Sequence, residues 1–120
     1  MKYMIICVET AADFAKRESA EAPAYWASWA SYGQALGQAG VFLSGAGLLP
    51  PAMGTSVRVR DGKRHVQDGP YSDAKEQLGG FFVIDVPDLD TALDWAAKCP
   101  GAAYSTVEVR PVLEMPPSAG

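Results

Sequence analysis

Apolar residues recur along the chain at two different periods, and the switches between them mark out the elements. Tyr3 to Val8 (YMIICV) is an unbroken apolar, β-branched run, which predicts a buried strand. From Pro23 to Gly40 the spacing becomes three and four: Trp26, Trp29, Ala30, Gly33, Leu36 and Gly37 fall on one side of a predicted helix that Gly40 stops. Gly33 and Gly37 each weaken a helix by about 1 kcal/mol relative to alanine, so the expectation drawn from them is close packing against a sheet. Val41 to Leu49, interrupted by Gly45 and Gly47, predicts a strand that bends or bulges before Pro50 and Pro51 end it.

Thr55 to Arg60 (TSVRVR) alternates at period two, Asp61-Gly62 is a strong hairpin-turn signal, and Lys63 to Gln67 returns antiparallel. Asp68-Gly69-Pro70-Tyr71 breaks that strand. Ser72 to Leu78 is polar and reads either as a short helical turn or as an extended edge. Gly79 to Val86 is a second buried strand, and Asp88 caps a helix whose apolar stripe is Leu89, Ala92, Leu93 and Ala96, ending at Cys99-Pro100-Gly101. Tyr104 to Val112 alternates again, giving a last strand with one wet face.

With the hairpin set aside, the order is strand, helix, strand, strand, helix, strand. That is the βαββαβ order of a ferredoxin-like α+β fold, an antiparallel sheet with both helices on one face. A single domain is expected over 1–115, with a short flexible tail at 116–120. The apolar strands make the other sheet face too greasy to leave wet, so a second copy of the chain is expected to cover it, in a dimeric α+β barrel arrangement.

Composition narrows the function without naming it. The chain has 120 residues, 48% of them hydrophobic and 20% charged, which suits one globular domain and not a disordered chain. Ten basic and fourteen acidic side chains leave a formal charge of −4, the wrong sign for a protein that neutralises phosphates or binds an anionic membrane. Nucleic acid and membrane are therefore not expected as partners. No apolar run approaches a bilayer span or the apolar region of a signal peptide, so the expected location is the cytoplasm. Cys7 and Cys99 lack metal-site or CxxC spacing and read as reduced, buried small hydrophobes. Gly79-Gly80 lacks a phosphate-loop context, and neither GxSxG nor HExxH occurs, so no metal or cofactor is expected.

Several segments together resemble the bacterial YCII-related or DGPF-domain proteins: MKYMIIC at the start, LLPPA at Leu48 to Ala52, VRVRDGK at Val57 to Lys63 and DGPYSDAKEQLGGFFVIDV at Asp68 to Val86. ALDWAAKCP at Ala92 to Pro100 and VEVRPV at Val107 to Val112 extend the likeness over essentially the whole chain. The resemblance implies a dimeric ferredoxin-like fold, a bacterial cytoplasmic setting and, for most members, no established activity. Two positions depart from it. Tyr71 stands where the family's naming motif ends in Phe. The first helix offers Tyr25, Tyr32 and Gln34 but no His, where one branch of the family has a histidine paired with a sheet aspartate for acid/base work. The single histidine here, His65, falls in the hairpin and reads as a surface residue.

The candidate ligand-binding residues are Asp68, Tyr71, Lys75 and Glu76, with Asp68 and Lys75 as the catalytic candidates. Asp68 either accepts hydrogen bonds from the amides of its own turn or faces a pocket. Tyr71 either packs over that turn or lines a cavity. Lys75 and Glu76, being adjacent, point apart, so one of them faces a pocket or both lie on a solvated face. Arg58 with Arg60, and Glu108 with Arg110, share strand faces and read as edge charges and an ion pair. Trp26, Trp29 and Trp95 read as core or interface residues. The leading expectation is a small-molecule-binding module without a cofactor, with regulation one use of it. The alternative is a cofactor-free enzyme of the lyase, isomerase or dehalogenase type with Asp68 as acid or base.

Overall fold

In the computed structural model, whose described residues are 1–116, burial alternates along β1 (Lys2–Glu9): Tyr3, Ile5, Cys7 and Glu9 are buried on one face, and Met4, Ile6 and Val8 stand half-covered on the other. The short helix α1 (Ala11–Ala15) and a 3-10 turn (Lys16–Glu18) lead into α2 (Ala22–Gln38) and β2 (Phe42–Gly47). After a second 3-10 turn (Pro51–Met53) come β3 (Thr55–Arg60), β4 (Lys63–Asp68), β5 (Gln77–Asp85), α3 (Leu89–Lys98), α4 (Gly101–Tyr104) and β6 (Thr106–Pro111).

Four strands form one antiparallel sheet in the order β2-β5-β1-β6. Without the β3–β4 hairpin, this strand order and connectivity are those of a ferredoxin-like α+β fold. Tyr32 and Leu36 from α2, with Ala92 of α3 and Cys99 just after it, close over Tyr3, Ile5, Cys7 and Ile84 to make the core. The Tyr32 hydroxyl donates to the Trp95 carbonyl at 2.8 Å and ties the two long helices together.

The hairpin forms a separate two-stranded sheet joined to the rest by stray contacts only. Its turn has Asp61 at φ 53° and Gly62 at φ 73°, the left-handed pair that a tight two-residue hairpin needs. Because the hairpin stands off, the radius of gyration is 16.5 Å, against roughly 14 Å for a compact chain of this length.

Several expectations are corrected by the packing. The buried stripe of α2 is Tyr25, Tyr32 and Leu36 with Trp29 half-buried, rotated from the predicted one, and Trp26 is exposed. Gly33 and Gly37 do not mark close packing, because a Cβ at either would meet nothing within 4 Å. In α3 the sheet takes Ala92 and Ala96 and leaves Leu89 and Leu93 exposed, since small residues let the helix sit low. The last strand starts at Thr106, because Gly101–Tyr104 first makes a helical turn. Residues 72–76 form no regular element, and β5 begins at Gln77. Of the tail placed at 116–120, residues 117–120 lie outside the described residues.

The entry into α1 is a capping box: Thr10 Oγ1 accepts from the Asp13 amide at 3.3 Å, and the Thr10 amide donates to Asp13 Oδ2 at 2.9 Å. Burial pushes the Asp13 carboxyl up, but the Thr10 hydrogen bonds and Lys16 outweigh it and hold it below the usual carboxylate range. Thr10→Ala is expected to cost about 1 kcal/mol in urea denaturation at neutral pH. Because the folded value of Asp13 is depressed, its contribution is complete above the unfolded carboxyl value of about 3.9. It disappears as pH falls through the lower folded value, so the gap between the wild-type and Thr10→Ala curves should narrow in acid to the part supplied by the Asp13 amide–Thr10 Oγ1 bond, which does not titrate.

Candidate functional site

The alternation that buries Tyr3, Ile5 and Cys7 also drives Glu9, the last residue of β1, into the protein, where its side chain is 2% exposed. An isolated carboxylate there would be costly, and three neighbours answer it. Tyr25 of α2 donates its hydroxyl to Glu9 Oε1 at 2.9 Å. Arg17, from the 3-10 turn after α1 and 11% exposed, donates from Nη2 to Glu9 Oε2 at 3.1 Å. The remaining neighbour is an absence of side chain: a Cβ on Gly79 would lie 2.8 Å from Glu9 Oε2, so only glycine leaves room for the carboxylate.

Arg17 does more than neutralise Glu9. It also donates to the carbonyls of Leu48, just past β2, and of Gly79 in β5, the latter at 3.2 Å, and its Nε reaches Tyr25 Oη at 3.4 Å. One guanidinium thus joins β1, α2, β5 and the end of β2, with four of its five donors taken by protein acceptors. Burial raises the Tyr25 hydroxyl above its ordinary value and the bond to Glu9 adds to this, while Arg17 offsets part of it. Tyr25 therefore stays protonated and donating, and the carboxylate remains an acceptor with lone pairs to spare.

Beside this cluster lies a cavity of about 340 Å³ between α2 and the β2–β5 edge. Its walls are mainly apolar: Trp26 and Trp29 from α2, Phe42 from β2 and Phe82 from β5, with Glu9, Arg17 and Tyr25 as its polar end. The Trp29 and Phe82 rings stack at 6.2 Å between centroids with 12° between planes. Gly33 opens the helix side of the cavity. A wider depression of about 440 Å³ on the other side of Glu9 is lined by Phe14, Pro50, Pro51, Lys75 and Gln77. Glu9 belongs to both walls.

The four candidate residues do not converge. Lys75 lines the wider depression, with Glu76 exposed beside it and outside both cavities. Asp68 is exposed at the end of β4, pairs with Thr55 across the hairpin, and lines neither cavity. The turn after it is held by Gly69, whose amide donates to the Gly54 carbonyl at 2.7 Å and whose carbonyl accepts from Ser56 Oγ at 2.6 Å. Tyr71 lies under the Arg58 guanidinium, 3.7 Å from ring centroid to carbon, and its hydroxyl donates to the His65 carbonyl at 3.4 Å. Glu108 and Arg110 stand 3.9 Å apart on the exposed side of β6. Trp95 packs on the core, whereas Trp26 and Trp29 wall the cavity.

Glu9, Arg17 and Tyr25 were not singled out by motif or spacing. One signal was available: a period-two strand whose buried phase ends on a carboxylate demands a buried donor. Which donor answers is settled by a turn and a helix that the pattern of the chain does not orient.

The fold and site define a small ferredoxin-like α+β protein with a partly open apolar cavity that ends on a buried ion pair. Residues 1–116 match the YCII-related domain, and the chain belongs to that family. An uncharacterised protein of Rhizobium meliloti (strain 1021) is 44% identical over 69 residues. That alignment covers 56% of this chain, and the chain spans 56% of that relative's length.

Removing one member of a buried pair strands the other charge, at a cost of roughly 3 to 5 kcal/mol. Arg17→Met should lose about that much in chemical denaturation. The double variant Arg17→Met/Glu9→Gln should recover part of the loss, because no buried carboxylate then remains unpaired. Equal losses in both would show that Arg17 acts through its carbonyl bonds and not through Glu9.

Proposed function

We propose that the protein is a cofactor-independent small-molecule-binding module whose ligand occupies the cavity between α2 and the β2–β5 edge. The observation that carries this reading is the pairing of four aromatic walls with a single polar end inside about 340 Å³, at the lower end of the usual size of ligand pockets. The Glu9–Arg17 pair is neutral overall and four of the five arginine donors are taken by protein acceptors, so the pocket has little left to offer an anion. What it offers is a ring-sized apolar slot and a carboxylate that accepts one more hydrogen bond. The ligand class that fits is a flat, uncharged ring bearing one hydroxyl or N–H donor aimed at Glu9.

The working unit in this proposal is a homodimer. A two-stranded hairpin is marginal by itself in water, and here Val57, Val59 and Val66 are 58%, 60% and 53% exposed on one of its faces. The sheet face opposite the helices also stays only half-covered, carrying Met4, Ile6, Phe81 and Val83. A second copy offers matching apolar surface to both.

Two measurements test these points. Gly33→Leu places a side chain where nothing lies within 4 Å of a Cβ, and replacing a helical glycine should stabilise by up to about 1 kcal/mol. Phenol, indole and 2-naphthol should quench Trp26 and Trp29 fluorescence in the wild type and leave Gly33→Leu unchanged. An equal response in both proteins places the probes elsewhere and ends the cavity reading. Light scattering over a concentration series should return twice 12.7 kDa, and a monomer persisting at high micromolar concentration would end the dimer reading.

A further inference from the structure

Two thiols 92 positions apart in sequence meet inside the fold. Cys7, on the helix-facing side of β1, and Cys99, directly after α3, hold their sulfurs 3.8 Å apart, and both are free and buried. A disulfide needs about 2.05 Å between sulfurs, so the pair stands less than about 2 Å from bonding distance. Their settings differ in access. Cys7 forms part of the cavity wall and Cys99 does not, so a small molecule entering the cavity reaches the Cys7 sulfur first.

We propose that Cys7 and Cys99 form a redox-active dithiol that closes to a reversible disulfide when hydrogen peroxide enters the cavity. In the first step Cys7 Sγ attacks one peroxide oxygen and the O–O bond breaks. The departing hydroxide takes the Cys7 proton and leaves as water, with a sulfenic acid on Cys7. Cys99 Sγ then attacks the Cys7 sulfur, the S–S bond forms and the S–O bond breaks. The second hydroxide takes the Cys99 proton and leaves as a second water. Two thiols lose two electrons, and one peroxide becomes two waters.

The surroundings favour the second step. The Cys99 thiol is held below its ordinary value, first by its hydrogen bond with Cys7 and also by the Gly101 amide, and the Gly101 contribution remains once Cys7 is oxidised, so Cys99 is suited to the resolving role. Cys7, hydrogen-bonded to Cys99 and itself buried, is held above its ordinary value. Its part in the proposal therefore rests on its place in the cavity wall beside Cys99 and not on ready ionisation. A bond between them would staple the end of α3 to the centre of the sheet and draw the Cys7 side chain out of the cavity wall. In a reducing compartment such a bond is transient, formed under oxidant and removed by thiols.

The test treats the folded, reduced protein with hydrogen peroxide, traps remaining thiols under denaturing conditions and maps the peptides by mass. The expected product is a monomer-mass chain lacking two hydrogens, with the Cys7 and Cys99 peptides linked, restored by dithiothreitol. Its melting temperature should rise by at least about 5 °C over the reduced form, since the cross-link closes a long loop. Cys7→Ala and Cys99→Ala should show no such rise after peroxide; if either fails to fold, the wild-type peptide map alone decides. Two thiols still titratable after treatment, sulfinic acid in place of the cross-link, a disulfide only between chains, or a cross-linked form that melts below the reduced one would each overturn the proposal.

Discussion

The buried Glu9 carboxylate is the constraint from which the surroundings of the cavity follow. Once the strand pattern turns residue 9 inward, a cation must be delivered to it, and a hydroxyl and a bare backbone must make room around it. Arg17 satisfies the charge only because the chain after β1 coils back through α1 and a 3-10 turn. The same guanidinium then holds the carbonyls at the end of β2 and in β5. That shared latch keeps the β2–β5 edge at the distance from α2 that leaves a cavity between them. The double glycine in β5 belongs to the same arrangement: Gly79 accommodates the carboxylate, and at Gly80 a Cβ would come within 2.8 Å of the Ala46 carbonyl of the neighbouring strand.

A cavity walled by four aromatic rings is expensive to keep, because unfilled apolar space forfeits contacts that a close-packed interior would make. The chain nevertheless places glycine at position 33, on the cavity wall, where an added Cβ would meet nothing within 4 Å. Room is thus maintained at a position where residues of higher helix propensity fit. The buried carboxylate lies at the end of that space, and Cys7, one thiol of the buried pair, forms part of its wall. Apolar slot, acceptor and sulfur chemistry converge on one face of α2 and not around the hairpin, where Asp68 and Tyr71 sit.

The hairpin serves a different purpose from the core. Its turn and its internal pairing are locally complete, yet it contributes little to the sheet it interrupts and extends the molecule to 50 × 47 × 18 Å. Basic and aromatic residues on one face make their own contact, Arg58 over Tyr71, while the valines on the other face remain open to solvent. An arrangement of this kind is stable in a partnered state more readily than in an isolated one.

Much of the architecture was legible along the chain because it depends on local periodicity. Unbroken apolar runs marked β1 and β5, period-two alternation marked β3 and the exposed edge at β6, Asp61-Gly62 marked the hairpin turn, and Asp88 marked the start of α3, where its carboxylate accepts from the Thr91 amide at 2.8 Å. The βαββαβ order and the family likeness came from the same strings of residues. What the chain does not carry locally is rotation and proximity. The burial of Tyr25 and Tyr32 over Trp26, and of Ala92 over Leu93, depends on how far each helix rolls on the sheet, which a pattern of threes and fours constrains only to within a residue. The site is less local still. Glu9, Arg17, Tyr25 and Gly79 are brought together by a turn, a helix and the pairing of two strands, and Cys7 meets Cys99 across 92 positions. Apart from the short helices at Ala11–Ala15 and Gly101–Tyr104, sequence by itself determined which segments become strand, helix and turn, because those choices are made by side-chain period and backbone chemistry within a few residues. Tertiary structure alone decided which polar groups share a buried space, because that depends on three-dimensional closure between elements that no short window of the chain contains.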